Sequence, residues 1–429
     1  MEISILYNYF KECGKVTTDT RNCPEGSMFI ALKGETFNGN AFARQALEKG
    51  CRYAVVDEAE YADAPNIFLV DNCLETLQLL AREHRRALGT PIVGITGTNG
   101  KTTTKELIAT VLQKRYKTLY TQGNLNNHIG VPLTLLNLTE EHEMAVVEMG
   151  ANHPGEIRTL VNIAEPECGM ITNVGKAHLE GFGSFEGVVK TKSELYDYLR
   201  LKENAFIFLD KDNEVLCQAS VGLESIGYGL EGEDLYVKGK LHACAPFLSF
   251  EWEHEGVNHD VNTHLIGAYN VKNALAAIAI GCRFGVPAEA ICEALNGYIP
   301  SNNRSQLTET EDNHLIVDAY NANPTSMMAA LENFRLMEVQ NKVAVLGDMK
   351  ELGEGSLDEH RKIVSFLQTC GFERTILVGA EFGKANAGFE HYSDVEALKA
   401  LFAENKPVGK FVLIKGSNSM KLFYLKEML

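Results

Sequence analysis

Several features are scarce or missing in this chain of 429 residues, and each absence excludes a class of protein. No apolar run approaches the roughly 18 residues that a membrane-spanning helix needs, so we expect no membrane insertion. The first residues show no basic segment ahead of an apolar one, so we expect no signal peptide. The ten cysteines include no Cys-x-x-Cys pair, so neither a zinc site nor a disulfide framework is expected.

Positive charge is also in short supply, because 40 lysines and arginines stand against 57 aspartates and glutamates. The resulting net charge of −17 opposes binding to nucleic acid or to an anionic membrane surface. It leaves a phosphorylated small molecule open as a ligand, since such a ligand needs only a few local cations. Scattered, unpaired cysteines indicate a reducing compartment, and we expect a cytoplasmic protein.

The chain does have a repeated strand–helix alternation, and its length suits about three domains. This alternation predicts the α/β class, with domains at 1–88, 89–301 and 302–429. A turn-rich run at 300–303 marks the second limit. In the middle domain we expect a parallel sheet followed by an antiparallel annex. The strand-like runs are 92–95, 145–147, 169–172 and 206–209 for the sheet, then 235–241 and 247–252 for the annex.

Residues 94–104 are the most informative segment, a glycine-rich turn between an apolar run and a segment of helical composition. Such a turn leaves backbone N–H groups unpaired at the positive end of a helix dipole, where a polyphosphate binds. Lys101 would then reach the terminal phosphates, and the Thr102 hydroxyl would bind Mg²⁺. Ile95 stands where the usual nucleotide loop has its first glycine, so the form is a shorter one. The predicted nucleotide-binding residues are Gly97, Thr98, Asn99, Gly100, Lys101, Thr102 and Thr103.

Polar residues also follow three of the predicted strands. Glu148 and Asp318 each close an apolar run, and His178 lies a few residues after another. In an open parallel sheet, ligands gather at the carboxyl ends of the strands. Each residue taken alone could be structural, and a solitary histidine more often is. Beside a phosphate loop, Glu148 and His178 are candidate Mg²⁺ partners, because a carboxylate suits a hard cation and an imidazole is a less usual ligand.

Lys192 falls in the apolar stripe of a predicted helix at 185–200, whereas Lys190 points the opposite way. A lysine on a buried face is unfavourable unless its charge is neutralised. One interpretation is an aliphatic stem whose ammonium reaches the surface. The other is a lysine carbamylated by CO₂, which is an anionic oxygen ligand beside a metal ion. The sequence leaves both interpretations open.

These motifs, with others along nearly the whole chain, resemble those of the Mur ligase family. The matching segments are 18–21, 29–35, 97–103, 123–127, 130–134, 147–150, 173–180, 190–194, 318–324 and 346–349. The phosphate loop alone marks only the ligase superfamily, which includes folylpolyglutamate synthase. The run at 318–324, Asp-Ala-Tyr-Asn-Ala-Asn-Pro, is more selective and resembles the family members that add the terminal dipeptide.

The resemblance implies a central P-loop ATPase-type parallel sheet, flanked by a small N-terminal α/β domain and a Rossmann-like C-terminal α/β domain. The first would bind the UDP part of the substrate, the second ATP, and the third would be the ligase domain. The resemblance also implies ATP, two Mg²⁺ ions and a CO₂-derived carbamate on Lys192 as cofactors. It assigns catalysis to Lys101, His178 and Lys192, and the metal ions to Thr102, Glu148, His178 and Lys192.

Further residues take binding roles by the same resemblance. The nucleotide would contact Asn270, Arg304 and Asp318, the last through its ribose. The implied substrate contacts are Thr18, Asp19, Arg21, Lys33, Asn126, Asn127, Tyr320, Asn321 and Asn323. Three departures from the family pattern concern the nucleotide and C-terminal contacts, and none touches the metal residues. They are Tyr269 in place of a histidine, Asn303 in place of a glycine, and Asn418 in place of an arginine.

The implied activity is ATP-dependent amide formation between UDP-N-acetylmuramoyl-tripeptide and D-alanyl-D-alanine through an acyl phosphate, in peptidoglycan precursor synthesis. The third residue of the tripeptide is either lysine or a diaminopimelate. The expected partners are small molecules alone, and the expected state is a monomer. One alternative is another Mur-type ligase or folylpolyglutamate synthase. A remote one is a nucleotide-dependent regulatory switch, although a switch has no need of a second metal site.

Overall fold

The computed structural model describes residues 1–244, 246–301 and 304–429, and in these residues three β-sheets follow one another along the chain. The predicted α/β class is confirmed. The domain limits after residues 88 and 301 remain our proposal, and Asn302 and Asn303, which adjoin the second limit, lie outside the described residues. No helix in the described ranges is long and apolar enough to cross a bilayer.

The first sheet has four parallel strands in the order β1-β2-β3-β4. Its strands are β1 (Val16–Thr17), β2 (Met28–Ile30), β3 (Tyr53–Val56) and β4 (Ile67–Leu69), and its helices are α1 (Ile3–Cys13), α2 (Ala43–Glu48) and α3 (Cys73–Leu88). The Asn72 side chain accepts a hydrogen bond from Glu75 N and caps the start of α3. Gly89, with φ 66°, ends α3 in the left-handed conformation, so the chain turns there into the second sheet.

The second sheet has nine strands in the order β13-β12-β11-β10-β9-β8-β5-β7-β6. Its strands are β5 (Ile92–Thr96), β6 (Thr118–Tyr120), β7 (Met144–Glu148), β8 (Cys168–Ile171), β9 (Phe206–Asp210), β10 (Glu224–Gly229), β11 (Val237–Cys244), β12 (Phe247–His254) and β13 (Val257–Ile266). The helices are α4 (Lys101–Leu112), α5 (Gly130–Leu135), α6 (Glu156–Ala164), α7 (Leu179–Phe182), α8 (Phe185–Arg200), α9 (Glu214–Ala219), α10 (Asn270–Arg283) and α11 (Ala288–Gly297). From β10 to β6 every neighbouring pair is parallel, and β11 to β13 form the predicted antiparallel annex.

The third sheet has the order β14-β15-β19-β16-β17-β18, parallel except for the edge strand β14. Its strands are β14 (Gln306–Glu309), β15 (Asn313–Asp318), β16 (Lys342–Gly347), β17 (Arg374–Val378), β18 (Glu390–Tyr392) and β19 (Lys410–Lys415). The helices are α12 (Pro324–Leu336), α13 (Ser356–Cys370), α14 (Ala380–Ala385) and α15 (Val395–Glu404). Buried apolar side chains fill the inner strands, because helices cover both faces of a parallel sheet.

Candidate active site

A cavity of about 740 Å³ lies where the carboxyl ends of strands from the second and third sheets face each other. The segments after β5, β7 and β8 form one side, and the ends of β15 and β19 form the other. From the first domain, Leu74 and Gln78 of α3 reach the wall. The cavity brings together many of the predicted residues: Thr98, Asn99, Gly100, Lys101, Thr103, Asn126, Asn127, Glu148, His178, Asn270, Arg304, Asp318, Tyr320 and Asn321.

The phosphate loop depends on two glycines with positive φ, Gly97 at 143° and Gly100 at 77°. Helix α4 begins directly after them at Lys101, so its free N–H groups lie at the cavity. Lys101 Nζ donates hydrogen bonds to the carbonyls of Gly97 and Thr98, at 2.8 and 3.0 Å. Burial is the main cause that lowers the pKa of Lys101 to about 8. A bound polyphosphate would therefore stabilise the charged form of this lysine.

We expect Gly97→Ala to weaken ATP binding by about tenfold to a hundredfold. The reason is that a side chain at this positive φ strains the backbone of the loop by about 1–3 kcal/mol. A Cβ at this position would lie 2.0 Å from Thr172 Oγ1. That hydroxyl donates to Asn99 O at 2.7 Å, so the loop loses this hydrogen bond when it moves. Calorimetric titration with ATP measures the effect. Gly14→Ala is the matched control, since Gly14 also has positive φ but open space around it, and equal losses in both variants would contradict the explanation.

Glu148 closes β7 and is 1% exposed. Its carboxylate accepts hydrogen bonds from Thr102 Oγ1 at 3.0 Å and from Asn126 Nδ2 at 2.8 Å. Lys105 Nζ lies 4.0 Å from Glu148 Oε2, fully buried and without a hydrogen-bond partner among the described residues. A buried carboxylate beside a hydroxyl is an oxygen donor set that suits Mg²⁺. Thr102 and Glu148 therefore fit a metal ion at the phosphate loop.

His178 lines the cavity from the segment between β8 and α7, with φ 50°. Its Nδ1 contacts the carboxylate of Glu351, which lies in the loop after β16. Burial, the largest cause, lowers the pKa of His178, and the positive charges of Lys101 and Lys192 act in the same direction. The neutral imidazole is the form that can bind a metal ion.

Lys192 lies on the inner face of α8 and is 2% exposed, so its ammonium does not reach the surface. The surface-reaching interpretation of this residue is therefore wrong. Lys192 Nζ donates to Ala151 O at 3.2 Å and lies 5.2 Å from the centre of the Phe182 ring. Burial first, and the charge of Lys101 second, hold the pKa of Lys192 well below its usual value. Lys190 is exposed, as predicted.

The nucleotide residues predicted from the second and third domains, Asn270, Arg304 and Asp318, also line the cavity. Asp318, at the end of β15, forms an ion pair with Lys415, at the end of the neighbouring strand β19. The Arg304 guanidinium lies 4.0 Å from the centre of the Tyr320 ring. Tyr269, which departs from the family pattern, also lines the cavity, and its hydroxyl lies 2.5 Å from Ser305 Oγ. An aromatic ring and a cation at this wall suit a nucleoside.

Some predicted residues lie outside this cavity. Thr102 and Lys192 are buried behind its wall. Gly97 is likewise not among the residues that line it. Asn323 caps α12 through Ser326 N and bonds to Asn99 across the domain interface at 2.7 Å, so its side chain is occupied.

The predicted UDP-binding residues follow β1 and β2 in the first domain and do not line the cavity. Arg21 pairs with Asp19, the residue after Thr18, and the Arg21 side chain is 89% exposed. Lys33 pairs with Asp57 at 3.0 Å. These residues share the carboxyl-end edge of the first sheet, where ligands bind in open parallel sheets. Their role in binding UDP stays a prediction.

Sequence reasoning missed three residues of the site. Lys105 follows Lys101 by one helical turn, and that spacing in α4 could have indicated its place beside Glu148. Lys415 is the partner of Asp318, which lies 97 residues away, and no local pattern indicates that contact. No local sequence pattern indicates a role for Glu351, because its contact with His178 joins two domains.

Family models match most of the chain. The Mur ligase family catalytic domain matches residues 13–85, the Mur ligase middle domain matches 95–281, and the Mur ligase glutamate ligase domain matches 303–418. A relative from Bacillus subtilis (strain 168), named UDP-N-acetylmuramoyl-tripeptide–D-alanyl-D-alanine ligase, is 36% identical over 420 residues, which cover 95% of this chain and 91% of the relative. The chain belongs to the Mur ligase family.

Solved structures of Mur ligases share the fold of this family member. A crystal structure of MurF from Acinetobacter baumannii is 30% identical, with a TM-score of 0.88, and the match covers 99% of this chain and 97% of the other. A MurF ligase from Thermotoga maritima, crystallised in complex with ADP, is 28% identical, with a TM-score of 0.86 and 96% coverage of both chains. The family's three-domain α/β architecture therefore extends over nearly the whole chain.

Proposed function

We propose that this chain joins D-alanyl-D-alanine to UDP-N-acetylmuramoyl-tripeptide, with conversion of ATP to ADP and phosphate. The observation that carries the proposal is the single cavity in which the phosphate loop meets Asp318, Tyr320 and Asn321, the segment that resembles the dipeptide-adding family members. The 36% identity to a relative of that name, over nearly the full length of both chains, supports the same reaction.

The cysteines and the substrates also indicate where in the cell the protein acts. All ten cysteines are free thiols, and both ATP and UDP-linked precursors suit the cytoplasm, where we place the protein in peptidoglycan precursor synthesis. We propose that the chain acts as a monomer on small-molecule partners.

The reaction requires activation, because a carboxylate has no good leaving group. One carboxylate oxygen of the tripeptide attacks the γ-phosphorus of ATP, the bond to the bridging oxygen of ADP breaks, and an acyl phosphate forms. The neutral amine of D-alanyl-D-alanine then attacks the acyl carbon, the bond from that carbon to the phosphate oxygen breaks, and the amine loses a proton. The first step brings two anions together, and Lys101 at the phosphate loop reduces their repulsion.

Two Mg²⁺ ions fit the residues that surround the loop. Thr102 and Glu148 would hold one ion, and His178 with a carbamate on Lys192 would hold the other. Bound there, the ions supply positive charge beside the phosphoryl oxygens. The low pKa of buried Lys192 favours the neutral amine, which is the form that adds to CO₂. The new N–C bond and the loss of one proton from the nitrogen would turn this buried neutral amine into an anionic oxygen ligand.

The remaining assignments divide the residues of the site among the nucleotide, the peptide and the UDP part of the substrate. We assign the nucleotide to residues 97–103 together with Asn270, Arg304 and Asp318. We assign the peptide part to Asn126, Asn127, Tyr320 and Asn321, and the UDP part to Thr18, Asp19, Arg21 and Lys33. Asn323 is assigned to the peptide part as well, and its side-chain amide also donates a hydrogen bond to Asn99.

Product analysis tests the function directly. With ATP, D-alanyl-D-alanine and UDP-N-acetylmuramoyl-tripeptide, we expect one new amide, identified by mass spectrometry, and one ADP for each amide formed. Tripeptides that end in lysine and in diaminopimelate are compared side by side, and the ratio of their kcat/KM values identifies the natural third residue.

Matched controls separate the alternatives. A Mur ligase that adds the third residue would instead join lysine or diaminopimelate to the UDP-linked dipeptide, and folylpolyglutamate synthase would join glutamate to a folate. A regulatory switch would release phosphate without either acceptor. ADP formation that does not depend on both a carboxylate and an amine substrate would contradict the proposal.

A further inference from the structure

The contact between His178 and Glu351 joins the second domain to the third. Glu351 follows β16 by four residues, and its carboxylate contacts His178 Nδ1. The backbone pairs at the same place, because Glu180 N donates to Glu351 O at 3.4 Å. Lys176 and Glu359 form a second ion pair across this interface, at 3.1 Å. A loop of the third domain therefore contacts the imidazole of the second.

Both partners of this contact have unusual backbone conformations. His178 has φ 50° and Glu351 has φ 63°, in the left-handed region that non-glycine residues rarely adopt. Such conformations persist only where the surrounding structure holds them, and they gather at functional sites. Here one lies on each side of the interface, and together they bring an imidazole and a carboxylate into contact.

We propose that Glu351 is a positioning residue that orients the His178 imidazole for the metal ion of the cavity. The inference rests on the proposed function, which assigns His178 to a Mg²⁺ ion. A histidine that binds a metal ion commonly donates its other ring N–H to a carboxylate, which sets the tautomer and the direction of the ring. With Nδ1 held by Glu351, the lone pair of Nε2 is the one available to the cavity.

The cavity supports this division of roles. His178 lines it, while Glu351 lies outside its lining and has a side chain that is 56% exposed. The positive charges of Lys101 and Lys192 also act on the imidazole and lower its pKa. Glu351 is thus the carboxylate that contacts His178 in the described part of the chain, and it comes from a different domain. The arrangement makes the orientation of one metal ligand depend on the docking of the third domain.

Metal binding, rather than activity, provides the decisive test. The full chain is saturated with a non-hydrolysable ATP analogue and titrated with Mn²⁺, whose free concentration is followed by electron paramagnetic resonance. The wild type is expected to bind two ions and His178→Ala one. Glu351→Ala should weaken the second ion by about tenfold to a hundredfold, the range found when a carboxylate behind a metal-binding histidine is removed. Glu351→Gln, which keeps an acceptor oxygen, should lie between the two.

Glu359→Gln is the matched control, since it removes a carboxylate from the same interface without touching His178. Its Mn²⁺ affinity should equal that of the wild type. A second readout is the ¹⁵N chemical shifts of the His178 ring, which should report protonation on Nδ1 in the wild type and a mixture of tautomers in Glu351→Ala. Melting curves confirm that the variants are folded, and if Glu351→Ala is not, the isosteric Glu351→Gln decides.

The possible failures are distinguishable. If His178→Ala still binds two ions, the metal assignment in the proposed function is wrong and the inference falls with it. If His178→Ala loses one ion but Glu351→Ala and Glu351→Gln keep wild-type affinity and tautomer, only the inference is overturned. Equal weakening in Glu351→Ala and Glu359→Gln would also overturn it, because the contact would then serve only the domain interface.

Discussion

Lys192→Ala is expected to abolish ligation, with kcat lowered by about a thousandfold, the scale found when one preorganised electrostatic group is lost at a reacting centre. The physical reason is the burial of this side chain beside the cavity. A lysine that is 2% exposed has no surface role, and as a carbamate it would supply an anionic ligand where two negative substrates must meet. Steady-state ADP release with saturating substrates measures the loss.

Rescue distinguishes a missing ligand from a damaged fold. Small carboxylic acids such as acetate or formate can enter the space that the alanine leaves and provide an anionic oxygen, so partial activity should return as their concentration rises. Lys190→Ala is the matched control on the same helix, because Lys190 is exposed, and it should keep wild-type activity. Full activity of Lys192→Ala without added acid would remove the carbamate from the mechanism.

Lys101→Ala is expected to eliminate ATP-dependent amide formation, with a loss of about a thousandfold or more. The Lys101 ammonium lies at the phosphate loop in a buried environment, where its interaction with a polyphosphate is stronger than in water. The fold should survive, because the visible partners of Lys101 Nζ are the two loop carbonyls of Gly97 and Thr98. Coupled measurement of ADP and of the amide product tests the loss, and a melting curve tests the fold.

Lys114→Ala is the matched control for Lys101→Ala, since Lys114 lies just after the end of helix α4 and pairs with Glu293 at the surface. It should turn over like the wild type. Wild-type turnover in Lys101→Ala would contradict the phosphate-loop interpretation, and an unfolded Lys101→Ala would be replaced by Lys101→Met, which keeps the length of the side chain without its charge.

Local features of the sequence predicted much of the fold and part of the site. The strands β5, β7, β8 and β9 lie at the apolar runs that indicated them, and the phosphate loop joins β5 to α4 as its glycines and flanking segments predicted. The buried position of Lys192 followed from the helical period of its neighbours. In each case the signal was contained within a single strand or helix or the turn that joins them, so no distant residue was needed to interpret it.

The other features depended on which segments the fold brings together. The strand β13 went unpredicted, because its mixed polar pattern becomes a strand only when it pairs with β12. The motif predicts Asn323 as a substrate contact, and that prediction stands untested, whereas only the fold shows that Asn323 bonds to Asn99, 224 residues away. Packing likewise decided that the Lys192 ammonium does not reach the surface, since it lies against the Phe182 ring and donates to Ala151 O.

The sequence by itself therefore determined the α/β class, the nucleotide loop and the family, because turns, periodic burial and contiguous motifs are written in neighbouring residues. Tertiary structure alone decided that Asp318 pairs with Lys415, that Lys105 lies beneath Glu148, and that His178 meets Glu351. Electrostatic interactions act through space and fall off over a few ångströms. Charges that are distant along the chain thus acquire partners only when strand order and domain packing bring them into contact.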